Sequence, residues 1–221
     1  MKPNNKIAVI GGGGRTGKYL VSQLLENGFQ IKLLLRNPEV SKQIIPLDNP
    51  LIQVIKGDVL DYEAVTLVAK DCEAVISTVG QRKDEPLVAS QATANILNAM
   101  AENSTEEFEI KRYILVAGLN VETPFDKKGP ETMAATEWMK SNFPLIHEDR
   151  QKAYKILEES NADWTLVRVP YIEFTDERNE IGVSLKDSPG KKISAADIAG
   201  FLIEQLEDKA YIKKSPFIAN I

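Results

Sequence analysis

The sequence predicts an α/β fold, a doubly wound parallel sheet in one domain spanning residues 1–221. Three observations point there. Short apolar runs recur at 6–11, 30–36, 52–56, 74–79, 112–117 and 164–169, as strands buried on both faces of a parallel sheet require. Helical, amphipathic stretches lie between them, and parallel neighbours need such crossovers. A length of 221 residues suits one domain of this kind, with a full core.

The first strand, 6–11, runs into Gly11, Gly12, Gly13 and Gly14. A helix follows at once, with Leu20, Val21, Leu24 and Leu25 on one face. The second strand ends at Arg36, Asn37 and Pro38, and the third leads into Gly57 and Asp58. A helix at 61–71 opens on Asp61, whose carboxylate can accept the unpaired N–H groups of a first turn. The fourth strand carries Ser77, Thr78 and Val79 into Gly80. The helix at 86–101 turns Ala89, Ala92, Ile96, Ala99 and Met100 inward. The fifth strand ends in Ala117 and Gly118. A helix at 145–159 leads to the sixth strand, closed by Pro170. A last helix opens on Ser194, with Asp197 three residues on, a pattern like a capping box. Its Ile198, Phe201, Leu202 and Gln205 run at helical spacing.

Two segments interrupt the alternation. Residues 119–144 hold Pro124, Lys127, Lys128, Gly129 and Pro130, then a short helix at 131–141; residues 171–193 hold several charges with Gly182, Pro189 and Gly190. Both follow strands late in the sheet. Both are expected at its carboxyl edge, as a cover over the substrate side, because ligands bind at that edge.

The glycine turn carries the chemistry. Gly12, Gly14 and Gly17 fit G-x-G-x-x-G, while Gly11, Gly14 and Gly17 fit G-x-x-G-x-x-G. Five of the seven residues 11–17 are glycine, more than a plain turn needs. Strand, glycine turn and helix in this order form the arrangement that binds a dinucleotide pyrophosphate. The backbone can approach the phosphates, and the helix N-terminus offers N–H groups and partial positive charge. Gly11, Gly13, Gly14, Arg15, Thr16 and Gly17 are the residues expected to hold it.

The second strand addresses the choice of nucleotide. An acid near its end would take the ribose hydroxyls of NAD; here stands Arg36, with no carboxylate until Glu39. An arginine can grip a 2′-phosphate, and Arg15 is a second clamp. NADP(H) is the expected cofactor, with NAD(H) still possible. Asp58 is placed to accept from the adenine amino group and Val59 to cover the ring. Thr78, Val79 and Gly80 form a small turn past which the adenine ribose can run.

Composition excludes several classes. The net charge is −5 and the lysines and arginines are scattered, which argues against nucleic acid. The single cysteine, Cys72, excludes an intrachain disulfide and reads as a quiet, semi-buried thiol. No cluster of metal ligands occurs, so no metal is expected. No apolar run approaches a membrane span, and residues 1–6 lead straight into the first strand without a hydrophobic signal. The expectation is a cytoplasmic protein with a small-molecule partner and no membrane or nucleic-acid partner. Its oligomeric state is not legible.

The motifs IGGGGRTG (10–17), LLRNP (34–38), KGDVLD (56–61), VISTVG (75–80), WTLVRVP (164–170) and ISAADIA (193–199) follow one another in a familiar order. The chain is similar to the atypical short-chain dehydrogenase/reductases. It resembles most the NAD(P)H-binding branch with NmrA-like proteins, flavin reductases and the biliverdin reductase B type. The resemblance spans residues 6 to about 207. It implies a Rossmann fold and hydride transfer from a nicotinamide flanked by Ala117, Gly118 and the Val169–Pro170 turn. The departures matter. The Tyr-x-x-x-Lys pair of many superfamily members occurs nowhere in the sequence; Ile146 and Arg150 fall at its two positions, and Ala117–Gly118 replace the usual serine.

Ile146, Arg150, Ala153 and Leu157 share one face of the 145–159 helix, which puts Arg150 on the inward stripe. A buried charge needs a partner. The nicotinamide ribose, a substrate anion or a structural carboxylate would each serve. His147, the only histidine, could donate a proton near neutral pH, or could be a half-exposed helix-start residue. Lys152 falls on the wet face, and Tyr154 and Tyr171 read as packing residues. With no acid–base pair, the catalytic residues stay unassigned beyond Arg150 and His147.

Two functions follow from these residues. One is an NAD(P)H-dependent reductase acting on a flavin, quinone or similar conjugated acceptor, because such acceptors take hydride without a strong protein acid. The other is an NADP-binding redox sensor of the NmrA-like type. A nucleotide-sugar epimerase fits poorly, since its tyrosine is missing.

Overall fold

The structure, a computed structural model, describes residues 5–105 and 109–221. Residues 1–4, part of the stretch read as lacking a signal, lie outside the described residues. In chain order the elements are β1 (Lys6–Ile10), α1 (Gly17–Glu26), β2 (Gln30–Leu35), α2 (Pro38–Ser41), β3 (Ile52–Lys56), α3 (Tyr62–Ala69), β4 (Ala74–Ser77), α4 (Ala89–Glu102), β5 (Arg112–Gly118), α5 (Pro130–Asn142), α6 (Pro144–Glu159), β6 (Asp163–Val169), β7 (Tyr171–Glu173), β8 (Ile181–Ser184), β9 (Lys192–Ser194), α7 (Ala195–Glu204) and β10 (Phe217–Asn220).

The main sheet has the order β3-β2-β1-β4-β5-β6-β10-β8. Its first six strands are parallel, which gives the doubly wound pattern expected from the sequence. Alternating side chains feed two cores. Ile7 and Val9 pack with Leu20, Leu24, Ile198 and Leu202 of α1 and α7. Ala8 and Ile10 pack with Val65, Ile96 and Leu157 of α3, α4 and α6. Each fully buried valine, leucine or isoleucine here contributes about 1.5–3 kcal/mol. Lys32 interrupts the apolar β2 without an unpaired charge, because its Nζ donates to the carbonyls of Leu67 and Lys70 at the end of α3.

The two N-caps read from the sequence form. Asp61 accepts from Glu63 N–H and Ala64 N–H, and Ser194 accepts from Asp197 N–H at 2.9 Å. The capping box is not closed, however. The Asp197 carboxylate reaches Asn179 N–H and Asn220 Nδ2 instead. Cys72 is fully buried rather than semi-buried, and burial pushes its thiol up to about 12. Tyr171 is 74% exposed and is not a packing residue, whereas Tyr154 is buried edge-on against Trp164.

Four strands were not foreseen. Segment 171–193 carries β7, β8 and most of β9; β7 and β9 form a separate parallel pair. β8 closes the edge of the main sheet antiparallel to β10, which itself inserts parallel to β6. Among the described residues no helix is long and apolar enough to cross a membrane.

The loop after β5 is tied down by a charge. Arg168 of β6 is completely buried. Its Nη1 donates to both Asp126 oxygens at 2.8 Å and to Val121 O at 2.9 Å; Nε and Nη2 donate to Ser215 O. The guanidinium also stacks 3.5 Å over the Phe217 ring. One side chain thus joins β6, the 119–129 loop and the start of β10. Asp126→Ala should leave that cation buried without its carboxylate and cost about 3–5 kcal/mol in urea unfolding. A loss below about 1 kcal/mol would show that the carbonyls and the ring suffice.

Candidate functional site: a dinucleotide groove

At the end of β1 the backbone turns where no side chain fits. Gly11 has φ +87°, and a Cβ on it would lie 2.8 Å from Thr78 C and Val79 N. A Cβ on Gly17 would lie 2.2 Å from Gly11 O and 2.6 Å from Gly12 Cα. The start of α1 is therefore seated directly on the turn. Gly11 O accepts from Gly14 N–H at 2.9 Å and from Thr78 Oγ1 at 3.1 Å. That carbonyl faces into the protein, across the switch point between β1 and β4. The N-terminus of α1 has no side-chain cap and no acid in its first turn, so its positive end stays available to an anion. Arg15 lies 4.3 Å over the Phe174 ring, and a side lobe of about 340 Å³ is lined by Gly13, Gly14, Arg15 and Lys18.

A groove of about 1290 Å³ runs along the carboxyl ends of the strands, from Arg36 and Asp58 past Gly11 and Thr78 to Ala117, Arg150 and Pro170. Small-molecule sites typically enclose about 300–1,000 Å³, so this groove has room for a dinucleotide and a second ligand. Every binding residue expected from the sequence lines it except Gly17, which acts by packing. Of the two segments expected to cover it, 171–193 contributes Ile172 and Phe174. Residues of 119–144 buttress the groove from behind rather than line it. The side-chain-free cradle and uncapped helix fit a pyridine dinucleotide.

At the adenosine end Arg36 is already engaged. Its Nη1 and Nη2 reach the two Glu85 oxygens at 2.7 and 3.1 Å, with Asp58 at 3.5 Å. The Glu85 hydrogen bond is the main reason its pKa is raised. The 81–86 segment is held by Gln81 Nε2, which donates to the carbonyls of Arg82, Glu85 and Pro86. Asp58 Oδ1 accepts from Leu60 N–H at 2.9 Å. A 2′-phosphate on Arg36 must therefore displace Glu85, a residue the sequence did not flag.

At the opposite end, Arg150 Nη1 donates to Asn120 Oδ1 at 3.0 Å. Arginine has no acceptor, so this bond fixes the Asn120 amide, and its Nδ2 must face His147 Nδ1 at 3.1 Å. The His147 proton then sits on Nε2, 3.7 Å from Glu122. His147 is 7% exposed, not half-exposed, and does not line the groove. It reaches the site through Asn120, which sequence reasoning also missed. Asp149 supplies another long-range contact: it accepts from Ala89 N–H, Ser90 N–H and Ser90 Oγ, and so caps α4 from α6.

The model of the NAD(P)H-binding family matches residues 11–209. The chain belongs to that family. The resemblance to atypical short-chain dehydrogenase/reductases is borne out with it. A short-chain dehydrogenase/reductase of Veillonella parvula, in complex with NADP, has a TM-score of 0.76 at 18% identity and covers 97% of this chain and 94% of its own. An anaerobillin reductase of Escherichia coli O157:H7 gives 0.75 at 18% identity, with 97% of each chain covered. These likenesses show the shared Rossmann fold. Among curated relatives, an uncharacterised chloroplastic protein of Arabidopsis thaliana is 27% identical over 74% of this chain and 58% of its own length. An isoflavone reductase homolog of Nicotiana glauca is 34% identical over 50% of this chain and 34% of its own. The NAD(P)H-binding chain thus spans between about a third and three fifths of these relatives.

Two outcomes are expected here. Glu85→Gln should free Arg36 and tighten NADPH binding about tenfold in calorimetry, with NADH changed far less. Arg36→Asp should weaken NADPH far more than NADH. Equal affinities for the two in the unaltered protein would contradict the second outcome, and an NADPH affinity that Glu85→Gln leaves unchanged would contradict the first. His147 has its pKa lowered from the ordinary 6.5, chiefly by burial, with Glu122 pulling weakly the other way. As pH falls below that value the unfolded chain takes up the proton first, so stability is lost on acidification. His147→Gln should flatten that decline in thermal midpoint below about pH 6.5; an unchanged slope would show that the ring titrates normally.

Proposed function

We propose that this chain is an NADPH-dependent reductase whose acceptor is a flavin, quinone or similar conjugated molecule. The observation that carries the reading is the far end of the groove. There Ala117, Ile146, Ala153, Val169, Pro170 and Ile172 make an apolar wall beside the expected nicotinamide position. The nearby Tyr154 turns its hydroxyl to Glu158 at 3.2 Å, and burial pushes its pKa up to about 12. Among the described residues the wall itself carries no hydroxyl, which suits an acceptor that needs no protein acid.

When bound, NADPH supplies a hydride; a proton from water completes the reduced acceptor, and NADP⁺ is the other product. The protein's part is position. The glycine turn, the first turn of α1 and Arg15 hold the pyrophosphate, and Arg36 grips the 2′-phosphate once Glu85 yields. The apolar wall excludes water from the transfer path. The names of the relatives, isoflavone reductase homologs and cinnamoyl-CoA reductases, support a reductase, and the NADP held by one structural neighbour supports the cofactor. The cytoplasmic location expected from the sequence goes with this reading.

The missing hydroxyls also favour a second reading, a nucleotide-binding redox sensor without turnover. One experiment separates them. With NADPH and a panel of flavins and quinones, the reductase should bleach the reduced-nicotinamide absorbance well above the uncatalysed rate. Tight NADP⁺ binding with no turnover across the panel would make it the sensor.

A further inference from the structure

The groove ends on a cation that, among the described residues, has no carboxylate in ion-pair contact. Arg150 is mostly buried, lines the groove beside Gly118 and has one recorded hydrogen bond, to the neutral amide of Asn120. Burial lowers its pKa, and the Asp149 carboxylate pulls the other way. That adjacent carboxylate attracts it through space, but among the described residues no carboxylate meets it in an ion pair. On its own helix, Asp149 is committed to the first turn of α4, and His147 faces Asn120 as a neutral ring. From the loop behind, Glu122 pairs with Lys140 of α5 at 3.0 Å. Arg168 shows full satisfaction of a buried arginine, with a carboxylate, two carbonyls and a ring, whereas Arg112, away from the groove, meets two carbonyls.

The cofactor's own anions lie elsewhere. The pyrophosphate cradle follows β1, and Gly118 ends β5, two strands away across β4. At about 4.8 Å per strand that is about 10 Å. Arg36 stands a further strand off on the other side of β1. What reaches Arg150 from the cofactor is the uncharged nicotinamide and its ribose, and neither offsets a desolvated cation.

We propose that Arg150 is an anion subsite for the acceptor, and that the acceptor is a conjugated molecule bearing a carboxylate. The inference rests on the reductase reading for the identity of the occupant. The guanidinium fork receives the carboxylate in paired hydrogen bonds. Asn120 holds the fork in place, and the apolar wall takes the ring system.

The test uses the NADPH-saturated protein, whose reduced nicotinamide is uncharged, and two non-reducible probes of one shape, 9-anthracenecarboxylate and its neutral primary amide, by calorimetry. The carboxylate should bind at least about tenfold tighter. Arg150→Gln should abolish that preference and Arg150→Lys should keep part of it, with NADPH affinity within about threefold throughout. Equal binding of the two probes, binding of neither, or a preference that survives Arg150→Gln overturns the proposal. So does an NADPH affinity that falls as far as the carboxylate's. The probe pair needs no variant, so a poorly folding Arg150→Gln protein does not protect the idea. A carboxylate preference in a protein that never oxidises NADPH would sink the reductase reading and leave the anion subsite standing. Turnover with no carboxylate preference would do the reverse.

Discussion

The seating of α1 on the turn after β1 is the constraint on which the site depends. A single methyl on Gly17 would collide with the backbone of Gly11 and Gly12. Only without it can the helix axis point its free N–H groups at the place where the strand order reverses. Thr78 then reaches Gly11 O from the neighbouring strand and closes the base of that crevice. The groove, its polarity and its direction follow from this one close contact.

The buried charges and those along the groove differ in how well they are satisfied. Arg168 is wrapped completely and holds β6, the loop after β5 and β10 together. Lys128, also buried, is brought down to about 8 by burial and leans on Thr136 and Asp126. Both are structural. Arg36 has partners, but exposed ones that a phosphate can replace at little cost. Arg150 has one neutral hydrogen-bond partner and the through-space pull of Asp149 at the end of a groove with room for a ligand.

Asn120 and Asp149 show how the far end is kept rigid. Asp149 satisfies the first turn of α4, fixing α6 beside it. One turn face further, Arg150 and His147 grip the same asparagine from α6, so the loop after β5 cannot drift from the helix. The neutral histidine belongs to this arrangement: a second proton on Nδ1 would face the donor side of the amide.

Much of the fold was legible because it is written in local pattern. Apolar runs marked β1 to β6, the glycine cluster marked the cradle, and Asp61 and Ser194 marked two helix starts. Each signal spans a few residues and depends on neighbours along the chain. The positions of Arg36 and Arg150 along the groove were legible for the same reason, since strand ends and helix faces follow from period alone. The strands β7 to β10 were not, because three or four residues of mixed character become strands only when a partner edge is present. Nor could the sequence tell that Glu85 meets Arg36 across 49 residues, that Asp149 caps a helix 60 residues earlier, or that Arg150 meets Asn120 across 30 residues. Those facts are set by which surfaces the folded chain brings within hydrogen-bond reach, and only the tertiary structure decides that.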